Sequence, residues 1–219
     1  MITKLIRVPA CAAVAAASLV MAGCSTDTTA TSGAQPSAKE ALTQPGHPVS
    51  PPASSTTAEP SITPSPADDA PFIEAVKYEL RQRTVKLAGT PGQTTAACDQ
   101  ASVAETKGST VTCTVTYEGI PVVWPVTIGG PALGGLGIGY KAEPSTGILT
   151  AKGAEADFWA NQHRDGKDLR CDDMPALKAV PLGKTGYRCS YETTSVTDGK
   201  PMRVPMYLIV RDDGPHFAV

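Results

Sequence analysis

For residues 71–219 the sequence predicts an α+β fold made of two tandem small repeats, each a helix packed on an antiparallel sheet. Three observations lead to that class. Phe72, Ile73, Val76 and Leu80 recur at helical spacing, and beyond Gly89 and Pro91 the pattern changes to the strict alternation of Val111, Cys113, Val115 and Tyr117. Glu118-Gly119-Ile120-Pro121-Val122-Val123-Trp124-Pro125 matches Asp198-Gly199-Lys200-Pro201-Met202-Arg203-Val204-Pro205, so acidic-Gly-x-Pro-x-x-x-Pro occurs twice, and each copy runs on to a Gly-Pro pair, Gly130-Pro131 and Gly214-Pro215. Cysteines also divide evenly, Cys98 and Cys113 in one half and Cys171 and Cys189 in the other.

Residues 1–23 read as a lipoprotein signal peptide. Lys4 and Arg7 form a positive start, and the alanine-rich apolar run from Val8 to Val20 is too short to span a bilayer as a stable helix. The segment Leu19-Val20-Met21-Ala22-Gly23-Cys24 resembles the bacterial lipoprotein lipobox, with Met21 where that motif usually has Leu. The resemblance implies cleavage before Cys24 and acylation of its thiol, with the membrane as partner; the alternatives are an ordinary signal peptide cut nearby and an uncleaved anchor. Stable attachment needs more than one hydrophobic signal, which several acyl chains on one cysteine supply. Cleavage removes two of the 19 basic residues and no acidic one, so the processed chain carries 17 against 21 and a formal net charge of −4. Without a Lys/Arg cluster, nucleic-acid binding has no electrostatic footing.

Residues 24–70 are expected to be a disordered tether. Ser, Thr, Pro and Ala dominate, no aromatic residue occurs, and Leu42, Val49 and Ile62 stand as isolated large aliphatics. Such a segment buries too little apolar surface to offset its backbone entropy. Its proline content places its reach between roughly 40 Å as a coil and roughly 140 Å as extended polyproline II. Hydroxyl clusters such as Ser54-Ser55-Thr56-Thr57 are candidate glycosylation sites, an unmodified linker being the alternative.

The first repeat, 71–152, opens with the helix. Asp68 or Asp69 is its expected cap, Pro71 suits the first turn, and Glu79 with Arg83 makes an i, i+4 surface pair. Val111 to Tyr117 and Ile120 to Ile128 read as strands joined by the Glu118-Gly119 turn; a glycine-rich loop over Gly129 to Gly139 leads to short strands near Tyr140 to Glu143 and Ile148 to Ala151. In the second repeat, 153–219, a helix is expected over Ala154 to His163. Strands follow at Tyr187 to Thr194, from the Asp198-Gly199 turn to Val210, and at His216 to Val219 after Asp213-Gly214. Pro121 and Pro125 share parity, as do Pro201 and Pro205, so each pair leaves one side of its strand without N–H donors and blunts that sheet edge.

The four cysteines of the body form an even set that reads as disulfides in an oxidising compartment, with three connectivities open. Metal ligation is the competing reading, but no Cys-x-x-Cys occurs and the histidines are scattered. Gly108-Ser109-Thr110-Val111-Thr112-Cys113, with Cys98 upstream and Thr114-Val115-Thr116 downstream, resembles a small secreted domain of unknown function carried by many actinobacterial envelope lipoproteins. The second copy, Gly183-Lys184-Thr185-Gly186-Tyr187-Arg188-Cys189, has one residue more, and Gly186 is the expected bulge. The resemblance covers most of Phe72 to Val219 and implies a disulfide in each copy, Cys98 to Cys113 and Cys171 to Cys189, since a duplicated unit keeps its staple. It implies no activity. In architecture alone the chain resembles secreted beta-lactamase inhibitory proteins, which pair two small α/β repeats to grip an enzyme.

Candidate chemistry is sparse. His47, His163 and His216 are the whole histidine supply, so a Ser/His/Asp or Cys/His arrangement would rest on His163, and no Gly-x-Ser-x-Gly or Ser-x-x-Lys motif accompanies it. The run Gly134-Gly135-Leu136-Gly137-Ile138-Gly139 lacks the Lys-Ser/Thr ending of a phosphate loop. Asp165, Asp168, Asp172 and Asp173 could gather around a cation, though without the spacing of an EF-hand; a solvated acidic turn is the plainer account. Trp124 and Trp159 are candidate binding anchors or, in repeats this small, core. We therefore expect no enzyme, no cofactor and no catalytic or metal-binding residue. The expected role is non-catalytic binding or structure in the cell envelope, with an envelope protein as partner. A protein-protein inhibitor is the second reading, and a hydrolase or small-ligand carrier the third. A deep apolar pocket would favour a carrier, and a shallow exposed aromatic patch a protein partner.

Overall fold

The computed structural model describes residues 46–52, 62–131 and 137–219. The expected signal peptide, Cys24, most of the expected tether (Leu42 and the 54–57 hydroxyls included) and residues 132–136 lie outside the described residues. In chain order the elements are β1 (His47–Pro48), α1 (Phe72–Ala88), β2 (Thr94–Cys98), β3 (Thr110–Tyr117), β4 (Ile120–Pro131), β5 (Ile138–Ala142) and β6 (Gly147–Leu149). They continue with α2 (Ala151–Gln162), β7 (Lys167–Cys171), β8 (Lys178–Val180), β9 (Gly183–Thr194), β10 (Pro201–Arg211) and β11 (Gly214–Ala218). Helices pack on antiparallel sheets, an α+β fold. One sheet has the order β2-β3-β4-β5, the other β1-β7-β9-β10-β11, and β6 pairs with β8.

Helix α1 buries Ile73, Val76 and Leu80 of the predicted apolar set, leaves Phe72 half-buried, and extends the stripe by two turns to Val85 and Leu87. Its cap differs from expectation: Pro71 occupies the N-cap without a side-chain hydrogen bond, so neither Asp68 nor Asp69 serves there. Gly89 ends it at φ 67°, and its N–H donates to Lys86 O, a left-handed cap that glycine adopts without a Cβ penalty. Arg83 turns inward instead of resting on the surface: its Nη2 donates to Ala142 O at 2.8 Å and its guanidinium lies 4.7 Å from the Trp124 ring centre.

Glu118 and Gly119 both have positive φ, 46° and 86°, and close the β3–β4 hairpin as a two-residue turn whose twist suits the strands. Alternation then buries Val111, Cys113, Val115 and Tyr117 on β3 and Val122, Trp124, Val126 and Ile128 on β4. Counted from this turn, Pro121 and Pro125 stand opposite Thr116 and Thr112 at non-hydrogen-bonded positions, so their missing N–H groups face away from β3. On that side β5 joins β4 only from Val126 onward, just as β11 joins β10 only from Tyr207, past Pro205. The blunted stretch is thus the first half of each strand, and a further strand covers the rest.

Four strands, β1, β2, β7 and β8, and several boundaries depart from the sequence reading: β4 runs on to Pro131 and β5 starts at Ile138, inside the expected Gly129–Gly139 loop, and β9 starts at Gly183. Short β2, β7 and β8 carry too few apolar residues to announce themselves, and α2 starts at Ala151 because Thr150 Oγ1 accepts from Gly153 N at 3.0 Å. The Asp198-Gly199 turn lies inside a longer loop closed by Ser195 N donating to Lys200 O at 2.8 Å. Gly186 is indeed a bulge: Tyr207 pairs with Arg188 and Ile209 with Lys184, leaving Leu208 opposite Thr185, Gly186 and Tyr187, with Gly186 at φ 87°. Register also shifts the internal match. Cys113 faces Trp124 and Cys189 faces Met206, so, counted from the cysteines, Met206 takes the place of Trp124 that the proline motif gives to Val204.

The tether expectation fails over residues 46–52. His47 and Pro48 pair with Cys171 and Arg170 as an edge strand on β7, and Val49 N donates to Leu169 O at 2.8 Å. Val49 is buried in the smaller apolar cluster with Phe158, Leu169, Cys171, Cys189 and Met206. Ile62 is buried in the main cluster, which runs through both halves, from Val76, Leu80 and Trp124 to Ile148, Val180, Leu208 and Val210. A segment too polar to build a core of its own can still lend single side chains to one already built.

Candidate functional site

The second sheet, β1-β7-β9-β10-β11, carries the residues of the candidate site. On β10 the core takes Met206, Leu208 and Val210, so alternation turns Arg203, Pro205, Tyr207 and Ile209 to the opposite face. Register sets Glu192, Ser190 and Arg188 of β9 beside Arg203, Pro205 and Tyr207, and Arg170 of β7 beside Ser190. Asp168 is the hub of this face. It has φ 45°, an uncommon conformation for a residue with a side chain, at the register shift of β7. Arg203 donates from Nη1 to Asp168 O and to Ser190 Oγ, each at 3.1 Å, and from Nη2 to Asp168 Oδ2; Arg170 Nε donates to Asp168 Oδ1 at 3.1 Å. Burial alone would raise the Asp168 carboxyl, but the two guanidinium groups outweigh it and hold its pKa below the ordinary value. Tyr207 is 41% exposed beside these fixed charges. Held arginines and a half-exposed tyrosine on one sheet face offer contact area at small entropy cost, the composition of protein-recognition surfaces.

The disulfides join Cys98 to Cys113 and Cys171 to Cys189. Each bridges directly opposed residues of neighbouring strands, with Cα atoms 3.9 and 4.0 Å apart. The aspartate after the first cysteine of each pair repeats one geometry; the sequence reading passed over Asp99 and singled out Asp172 only as a cation candidate. Asp99 N donates to Thr112 O at 2.9 Å and Thr112 N donates to Asp99 Oδ1 at 3.1 Å. Asp172 N donates to Arg188 O at 2.9 Å and Arg188 N donates to Asp172 Oδ2 at 2.8 Å. The twice-occurring Cys-Asp dipeptide was the signal available for it.

The candidate cation cluster is not assembled. Asp168 binds arginines, Asp172 a main-chain N–H, Asp173 the imidazole of His47, and Asp165 continues the turn after α2. Among the described residues no group of His, Cys, Asp and Glu is placed to hold a metal ion. The histidines are apart: His163 donates from Nδ1 to Trp159 O at 2.7 Å and stacks on that indole, His216 donates to Asp213 Oδ1 at 2.7 Å, and His47 lies between Glu155 and Asp173. Trp124 is fully buried and belongs to the core, whereas Trp159 is half-buried on α2. An open groove of about 330 Å³ lies between residues 64–70 and α1, lined by Pro64, Pro66, Tyr78 and Ala96 together with Lys77 and Arg81. No described helix is long and apolar enough to cross a membrane. No family model, no curated protein and no solved structure matches this chain.

Proposed function

We propose that this chain is an exported lipoprotein, held at the extracytoplasmic face of the cell membrane by acyl chains on Cys24, whose body binds a protein partner in the cell envelope without catalysis. The observation that carries the reading is the combination of a lipobox-like end at Cys24 with a body in which both cysteine pairs are oxidised. Disulfides persist outside the reducing cytosol, and an exported chain reaches such a compartment. Recognition of protein is favoured by the Arg203, Asp168 and Tyr207 face, and the open groove of mixed lining gives a small apolar ligand little enclosure. The two halves are read as a duplicated unit of helix, cysteine strand and proline hairpin; the paired Cys-Asp clamps and the late arrival of β5 and β11 support that descent. A second reading, an inhibitor that grips an enzyme through the paired-repeat surface, is favoured by the same uncovered face.

Cys24→Ala tests the anchor. The variant is expected to leave the membrane fraction or to accumulate as precursor, and mass spectrometry of the native protein should find acylated Cys24 at its N-terminus. An unmodified, internal Cys24 would end the proposal. For the surface, Tyr207→Ala should lower cross-linking to envelope partners while leaving the unfolding midpoint close to that of the parent.

A further inference from the structure

We propose that residues 46–52 form a pH-sensitive strap, latched onto the second sheet while His47 is protonated and released as it loses its proton. Three contacts hold the segment: the β1–β7 pairing, the Val49 N–H to Leu169 O bond at 2.8 Å, and the buried Val49 side chain. A two-residue strand and one valine are a weak attachment, so a charged contact can decide whether the strap stays. His47 supplies it. Its Nε2 lies 3.0 Å from Glu155 Oε1 on α2 and its Nδ1 lies 3.1 Å from Asp173 Oδ1 beyond β7. Both ring nitrogens face carboxylate oxygens, which only the imidazolium can satisfy at once, since the neutral ring has a single N–H.

The other neighbours do not compete for this proton. Cys171 opposite His47 is in a disulfide, Arg170 opposite Pro48 is engaged by Asp168, and Asp172 is taken by Arg188. Burial lowers the imidazole pKa, but the hydrogen bonds and charges of Glu155 and Asp173 outweigh it and raise it above 6.5. A raised folded value places the latch contribution fully below the ordinary imidazole value, to be lost as pH rises through the raised one.

Release adds residues to the contour length between Cys24 and the first buried anchor of the body. With the strap docked, 21 residues lie between Cys24 and Gly46; with it free, 37 lie between Cys24 and the next buried anchor, Ile62. The corresponding maximum reach grows from roughly 75 Å to roughly 130 Å. That consequence rests on the lipid anchor, whereas the latch does not.

Hydrogen exchange at the Val49 amide, on the protein as isolated and kept in mild detergent, reads the strap alone. Divided by the intrinsic rate, exchange should rise roughly two- to fivefold between about pH 5.5 and about pH 8.5, the range of a partly exposed ion pair. His47→Gln should exchange at the fast, alkaline level at both values, and Glu155→Gln with Asp173→Asn should lose the pH response with His47 in place. An unchanged rate in the parent, a persisting response in His47→Gln, or a Val49 amide already unprotected at about pH 5.5 would each overturn the latch, whatever the state of Cys24.

Discussion

Asp99 and Asp172 show how one carboxylate closes a ladder that the backbone leaves open. Each follows a bridged cysteine, and each accepts the N–H of the residue before the partner cysteine. Asp99 is exposed and Asp172 half-buried, so water competes more strongly for the first. Replacing Asp172 by Ala should therefore cost about 1.5 kcal/mol and Asp99 by Ala about half that, read from urea unfolding. Asp168 belongs to the same scale but acts through charge. Its folded pKa lies below the ordinary 3.8, so its contribution is complete above that value and is lost as pH falls through the lowered one. Stability curves of the parent and Asp168→Asn should lie apart near neutrality and converge at acid pH. Curves that stay parallel would show that the Arg170 and Arg203 contacts contribute nothing to folding.

At the scale of elements, the two helices meet end to end. Thr150 Oγ1 accepts from Gly153 N and donates to Ala88 O at 2.7 Å, tying the start of α2 to the end of α1. Gly153 lies so close that a Cβ there would sit 2.4 Å from Ala88 O and 3.0 Å from Gly89 C. Backbone cannot yield as a flexible side chain can. Gly153→Ala should thus lower stability by about 3 kcal/mol, despite the better helix propensity of alanine, and calorimetry should record the drop. The segment before α1 is an element of another kind, fixed by single residues. Ile62 is buried against the main core, and Ile62→Ala should cost about 2 kcal/mol while speeding proteolysis ahead of α1. An unaltered cleavage rate would show that Ile62 does not hold that segment down.

Over the whole molecule, the two bridges and the shared core decide how it unfolds. The cysteine pairs are 15 and 18 residues apart, and closing loops of that length stabilises by about 3 kcal/mol each on the chain-entropy account. Two independent repeats would lose stability one at a time. Here Leu208 and Val210 of the last sheet pack in the cluster that holds Leu80 and Trp124, and Pro215 of β11 lies against Gly89 at the end of α1. Replacing Cys98 and Cys113 by Ala should then lower the midpoint of one common transition. Trp124 fluorescence and exchange in β10 should report the same midpoint; separated midpoints would argue for two cores.

Much of this was present in the order of residues. The periodicity of Phe72 to Leu80, the alternation of β3 and β4, the glycine at the bulge and the α+β class follow from local sterics and from which side chains avoid water, and both are properties of short stretches. Strands β2, β7 and β8 were not legible, because they are held by neighbours and carry little apolar pattern of their own. The same reason hid Val49 and Ile62, visible as isolated aliphatics in a polar segment but without a partner until the sheets supplied one. The face around Asp168, Arg203 and Tyr207 depends on register, and register depends on a six-residue loop and a bulge that shift strands against one another. Sequence by itself determined the periodic elements; tertiary structure alone decided which distant residues meet, because burial and pairing between strands reward contacts that no local stretch contains.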